Sequence, residues 1–210
     1  MKFILFGDSI CYGQFVSPHL IWANKLSEFL QKRTDGFWLN NPSISGNTTR
    51  MALERMPFDV QSHGIDILYT QFGLNDCNYW KSDCGVPRVS ELAFKHNMLE
   101  IVERARNFGA EKVFIGTNHP TPKTSKYEGL DVSFQESNER YNEIIREVAQ
   151  ESKVILVDHE NIWRSAQVDL NECLLPDQIH MSEKGHQLYF ETVVKSLIKN
   201  EKKVKLLESI

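Results

Sequence analysis

Apolar residues gather in five short runs along the chain, separated by longer stretches with helical spacing. Lys2 to Phe6 holds the uninterrupted run Phe3-Ile4-Leu5-Phe6 and ends at Gly7-Asp8-Ser9, the pattern of a short buried strand. Phe37 to Asn40, Ile65 to Phe72, Lys112 to Gly116 and Lys153 to Val157 read as four more strands. Between His19 and Lys32, Leu20, Ile21, Ala23, Leu26, Phe29 and Leu30 recur at the helical period. A second helix is expected from Asn47 or Thr48 to about Arg55, where Pro57 discourages continuation. Ser90 is placed to cap a helix reaching Phe108, with Gly109 as its stop. Further helices are expected over Ser133 to Glu151, around Ile162, and from Ser182 to Lys199. Cys77 to Ser90, Asn118 to Asp131 and the stretch ending at Pro176 read as loops, and the polar tail from Asn200 onward as a frayed or surface helical end.

Strands alternating with helices, without consecutive strands, favour a parallel sheet covered on both faces. The expectation is one α/β domain over residues 1–210, a three-layer α/β/α sandwich on a five-stranded parallel sheet. Ligand sites in such sheets lie beyond the carboxyl ends of the strands. Polar groups stand at four of those ends: Gly7-Asp8-Ser9, Ser45-Gly46-Asn47, Gly73-Leu74-Asn75-Asp76 and Asn118-His119. A fifth group, Asp177-Gln178-Ile179-His180, precedes the last helix.

These blocks contain the parts of an acyl-transfer site. A serine hydroxyl needs an adjacent base, and His180 can take the proton of Ser9 and later return it. Asp177, three residues earlier, can reach the other ring nitrogen and hold the tautomer. Gly7-Asp8-Ser9-Ile10 with Gly13, then Gly46, then Gly73-Leu74-Asn75-Asp76, then Asp177 and His180, resemble in order the four sequence blocks of the GDSL or SGNH hydrolases. The resemblance spans residue 7 to about residue 185, and departs from the family name only in carrying Ile10 where leucine is usual. It implies the flavodoxin-like SGNH hydrolase fold, carboxylic ester hydrolysis without a cofactor, and Ser9, Asp177 and His180 as the catalytic residues. It also implies an oxyanion hole made by the Ser9 and Gly46 backbone N–H groups and the Asn75 amide.

Asp8, Asn78, Tyr79 and His119 are the candidate substrate contacts. Each singled-out residue also has a plainer reading. Ser9 could cap a helix, Gly46 could serve only its turn, and Asn75 could be a helix cap. Asp8 could tie loops together through backbone N–H groups, and His119 could be a rim or structural residue. His186 reads as structural, Cys11 and Cys77 as small buried thiols. Trp80 reads equally as a stacking platform and as a loop cover.

Composition narrows the remaining classes. A net charge of -4, from 24 basic and 28 acidic residues, leaves no basic footprint for nucleic acid. Twenty-two aromatics supply core material and exclude a disordered chain. No apolar run approaches the roughly 20 residues of a membrane span. The four cysteines form no CxxC pair and no zinc spacing, which favours a cytoplasmic protein with reduced thiols and no metal. The rim loops, Cys77 to Cys84 and Asn118 to Thr124, are polar with a few aromatics. They suit a small-molecule ester of a short acyl group and a polar alcohol such as a carbohydrate. A lysophospholipase or thioesterase, and a non-catalytic ligand-binding domain of the same topology, are the alternatives.

Overall fold

A computed structural model describes residues 1–200 of the chain; the expected tail lies, past Asn200, outside the described residues. Five parallel strands form one sheet: β1 (Lys2–Gly7), β2 (Trp38–Asn40), β3 (Ile67–Gln71), β4 (Lys112–Gly116) and β5 (Ile155–Val157). Their spatial order is β2-β1-β3-β4-β5. β1 pairs with β3 from Phe3 opposite Ile67 to Gly7 opposite Gln71, so both strands end at the same level. The helices are α1 (Ser9–Tyr12), α2 (Trp22–Gln31), α3 (Thr49–Asp59), α4 (Glu91–Asn107), α5 (Phe134–Glu151), α6 (His159–Ser165), α7 (Leu170–Cys173) and α8 (Glu183–Lys199). α2 packs with α8, while α3 packs with α4 and α4 with α5. Right-handed crossovers put these two groups on opposite faces, because the chain first moves outward to β2 and then reverses toward β5.

That reversal matters for function. The chain leaves β1 in one direction and reaches β3 on its other side, so the crevice between their carboxyl ends is the topological switch point. Apolar burial fixes the frame beneath it. Phe3, Ile4, Leu5 and Phe6 are completely buried, as is nearly all of β3. Each such side chain contributes roughly 1.5–3 kcal/mol relative to exposure. Trp22 is buried too, and its indole N–H donates to the Ile10 carbonyl at 2.9 Å, pinning α1 to α2.

Ser90 caps its helix as expected, and serines also cap the helices expected to begin at Ser133 and Ser182. Ser90, Ser133 and Ser182 accept from the backbone N–H groups of Ala93, Glu136 and Gly185, and Glu136 closes a capping box on Ser133. α3 departs from expectation by running through Pro57 to Asp59. A proline there leaves the carbonyl of Leu53 without its helical donor. The Arg104 guanidinium donates to that carbonyl at 3.5 Å, and the helix ends within one turn. α7 lies inside the stretch expected to be loop; four residues are too few to show a period.

Candidate active site

Ser9 opens α1 immediately after β1, in a strand–turn–helix corner. Asp8 caps that helix, accepting the Ile10 N–H at 3.0 Å, so the capping role belongs to Asp8 and not to Ser9. A Cβ on Gly7 would come within 2.5 Å of Cys11 Sγ and 2.8 Å of the Gln71 carbonyl oxygen. Only glycine lets β1 turn this closely past β3.

The Asp177–His180 loop reaches the same crevice from the other end of the chain. Asp177 Oδ1 accepts the backbone N–H groups of Ile179 at 3.0 Å and His180 at 2.9 Å. Its Oδ2 lies 2.5 Å from His180 Nδ1, and His180 Nε2 lies 3.0 Å from Ser9 Oγ. An ionised carboxylate only accepts, so Nδ1 is the donor and Nε2 is left to accept from the serine hydroxyl. Burial raises the Asp177 carboxyl, but the His180 ring and the two backbone N–H groups outweigh it and hold the group below the ordinary carboxylate range. A hydroxyl, an imidazole and a carboxylate thus form one line able to pass a proton.

Asn75 stands beside this line at the end of β3. Its amide nitrogen donates to the Asn47 carbonyl at 3.1 Å and to Asp8 Oδ2 at 3.3 Å. Gly46 has φ +78°, and a Cβ there would meet no protein atom within 4 Å, so the left-handed backbone alone asks for glycine. Arg88 braces this loop by donating to the Gly46 carbonyl at 3.3 Å while its guanidinium lies 3.9 Å over the Trp80 ring. Trp80 therefore has one face occupied and stays about half exposed. Asp76, fully buried, takes the N–H and hydroxyl of Thr49 and ties the third loop to the start of α3. Burial pushes its carboxyl up to about 6.

Two expected substrate contacts are corrected. Asp8 is fully buried beneath the site with its oxygens turned to Ile10 and Asn75, which leaves no surface for a ligand. Burial raises its carboxyl to about 7, against the Ile10 N–H and reinforced by Asp76. His119 is also fully buried, stacked on Trp163 at 5.3 Å, with Nδ1 against the Pro120 carbonyl at 2.9 Å. Burial lowers its pKa to about 4, so it is a neutral structural histidine.

Asn78 lines a cleft of about 400 Å³ with Lys123, Thr124, Ser125, Tyr127, Phe134, Gln178 and Ile179, and accepts from the Tyr127 hydroxyl at 2.9 Å. Tyr79 packs against Tyr127, with ring centroids 5.1 Å apart. Cys11 and Cys77 are buried thiols, consistent with their plainer reading, and His186 is buried with Nδ1 accepting the Trp22 N–H at 3.4 Å. Phe15 was not singled out from the sequence. It has φ +69°, is 70% exposed, and sets its ring edge-on to His180 at 5.0 Å. Its only sequence signal is a large aromatic two residues past Gly13.

The family model of the GDSL-like lipases and acylhydrolases matches residues 5–188. The chain belongs to that family. The GDSL-like chain is 23% identical over 209 residues to the isoamyl acetate-hydrolyzing esterase of Saccharomyces cerevisiae, covering 92% of this chain and 84% of that one. The lipase/acylhydrolase from Enterococcus faecalis shares the fold with a TM-score of 0.78 at 21% identity, over 100% of this chain and 98% of its own. The acetylxylan esterase Axe2 from Geobacillus stearothermophilus does so with a TM-score of 0.76 at 18% identity, over 93% of each. The expected SGNH hydrolase fold is the fold observed. As a GDSL-like esterase or acylhydrolase, the protein is a carboxylic ester hydrolase, which sets aside the non-catalytic binding domain. No helix among the described residues is long and apolar enough to cross a membrane.

Proposed function

We propose that the protein is a serine esterase that removes a short acyl group, acetyl foremost, from a polar alcohol such as a carbohydrate. The observation that carries this reading is the 3.0 Å and 2.5 Å line from Ser9 through His180 to Asp177, on a loop whose Gln178 and Ile179 line the cleft of mixed polar and aromatic residues. His180 Nε2 takes the Ser9 proton as Oγ attacks the ester carbonyl carbon. The developing oxyanion is received by the Ser9 and Gly46 backbone N–H groups and the Asn75 amide. As the first residue of α1, Ser9 has an N–H with no acceptor inside its helix. The tetrahedral intermediate collapses when imidazolium returns the proton to the alcohol oxygen, leaving acyl-Ser9. Water, deprotonated by the same imidazole, then releases the acid and restores Ser9.

Asn78, Lys123, Thr124, Ser125 and Gln178 supply polar edges around Tyr127 and Phe134, a lining suited to a hydroxyl-bearing ring in the alcohol position. The acetylxylan esterase that shares the fold supports the same substrate class. A second reading has its own observation. A groove of about 450 Å³, in which Tyr12, Phe15, Val16 and Ile21 stand beside the polar Asn24 and Asn41, reaches the histidine through the Phe15 ring, and along its apolar side would accept a longer acyl chain of lysophospholipid or thioester type.

A series of p-nitrophenyl esters from acetate to decanoate, run beside acetylated xylo- and other oligosaccharides, separates the two readings. The short-acyl proposal expects kcat/KM to peak at acetate and to rise on acetylated sugars. A maximum at octanoate or decanoate would replace it with the second reading.

A further inference from the structure

The loop carrying Asp177 and His180 contains a strained residue. Gln178 has φ +63°, a left-handed conformation that costs a non-glycine residue free energy unless its surroundings impose it. The turn is closed within the loop by the Gln178 N–H donating to the Leu175 carbonyl at 2.8 Å and the Leu175 N–H to the His180 carbonyl at 2.7 Å, and it is met from outside by the segment His119-Pro120-Thr121-Pro122-Lys123, which follows β4. His119 and Thr121 both precede proline, a position that disfavours helical backbone and favours an extended chain. Side chains two apart on an extended chain share one face.

That face meets the carbonyls of the catalytic loop in order. The Lys123 ammonium donates to the Asp177 carbonyl at 3.4 Å. The Thr121 hydroxyl donates to the Gln178 carbonyl at 2.8 Å. Thr121 is 2% exposed, and its hydroxyl also accepts the Lys123 backbone N–H at 3.3 Å, which leaves its proton for Gln178.

We propose that Thr121 is a positioning residue: it holds the left-handed turn at Gln178, and through that turn sets where Asp177 and His180 meet Ser9. Ser9 follows β1 directly, whereas Asp177 and His180 lie on a loop with no backbone hydrogen bond to β1, so alignment across 171 residues depends on a brace for that loop. The proline-stiffened segment supplies it from the end of β4, a strand of the sheet that also holds β1. This inference rests on the reading of Ser9, His180 and Asp177 as the reacting line.

The test uses the full chain with Thr121→Val, Thr121→Ala and Thr121→Ser, and with Ser9→Ala alongside. Valine keeps the volume and loses the hydroxyl; serine keeps the hydroxyl and loses the methyl. On p-nitrophenyl acetate, Thr121→Val is expected to lower kcat at least tenfold with KM within twofold, and Thr121→Ser to restore most of kcat. The far-downfield proton NMR signal of the His180 Nδ1–H bond to Asp177 is expected to persist with serine and to be lost or broadened with valine. Wild-type kcat and an unchanged signal in Thr121→Val would overturn the proposal. A loss equal in the serine and valine variants would also overturn it, since the methyl and not the hydroxyl would then matter. Unfolding of both Thr121→Val and Thr121→Ala would overturn it too, because a positioning residue leaves a folded but misaligned site. Undiminished turnover by Ser9→Ala would instead defeat the underlying reading, whatever the Thr121 variants do.

Discussion

Asn75→Ala removes one donor from the proposed oxyanion hole, and the resting structure sets the size of the effect. Losing such a donor typically costs about 3 kcal/mol of transition-state stabilisation. Here the amide is already engaged, donating to Asn47 at 3.1 Å and to Asp8 at 3.3 Å. An oxyanion must displace the longer of these, the bond to Asp8, and giving up a bond of that kind costs about 1 kcal/mol net. The difference, about 2 kcal/mol, corresponds to a fall in kcat of roughly 30-fold. KM should hold within about threefold, because the contact strengthens only as charge develops on oxygen. Asp8 also loses a bond that favours its ionised form, so its carboxyl, at about 7 in the intact site, moves higher. Steady-state kinetics on p-nitrophenyl acetate give kcat and KM, and circular dichroism with a thermal melt reports the fold. A kcat within twofold of wild type, in a variant that melts natively, would remove Asn75 from the mechanism.

Other consequences follow from the same contacts. Asp177→Asn replaces an acceptor with an amide facing His180 Nδ1, and kcat should fall at least 100-fold with the fold retained; a loss under threefold would mean that the 2.5 Å contact does not orient the base. Burial holds His119 and His186 at about 4 and His159 at about 3, against about 6.5 in the unfolded chain. Between pH 6.5 and 4 the unfolded chain takes up protons these histidines refuse, so each costs the fold up to roughly 1.4 kcal/mol per pH unit as the medium is acidified. Asp8 and Asp76, raised by burial to about 7 and about 6, act in the opposite sense, their contribution falling as pH rises from about 4 through those values. His159→Gln should therefore melt lower at pH 7 yet lose stability less steeply on acidification; melts against pH that stay parallel to wild type would contradict the assignment. Arg104→Ala should cost about 1 kcal/mol in denaturant unfolding by orphaning the Leu53 carbonyl opposite Pro57, whereas Arg104→Ala combined with Pro57→Ala should cost less; equal losses would refute the compensation.

What the amino-acid order revealed and what it hid divide along one physical line. The five strands were legible because each is a short apolar run closed by turn residues. Ser90 was legible as a cap, and Ser133 and Ser182 as the places where helices begin, because capping is a contact over three residues. Ser9, Asp177 and His180 could be proposed because a serine after β1 and an aspartate three residues before a histidine ahead of the last helix stand in the order of the GDSL blocks, and because such a serine needs a base and the base a carboxylate. Tertiary partners decided the rest. Pro57 reads as a stop until Arg104, far along the chain, serves the freed carbonyl. Asp8 and His119 sit at strand ends like their neighbours, and only packing reveals that α1 and Trp163 close over them. Phe15 and Thr121 carry no local mark, since their importance lies in what they touch across the crevice.

The central claim is that Ser9 is the nucleophile of a line running through His180 to Asp177. Its most direct measurement is fluorophosphonate labelling followed by intact mass and peptide mapping, on wild type, Ser9→Ala and His180→Ala. The expected result is one adduct, on the peptide carrying Ser9, formed at least 100-fold more slowly in His180→Ala and absent in Ser9→Ala. A label on any other residue, or ester turnover that survives in Ser9→Ala, would contradict the account.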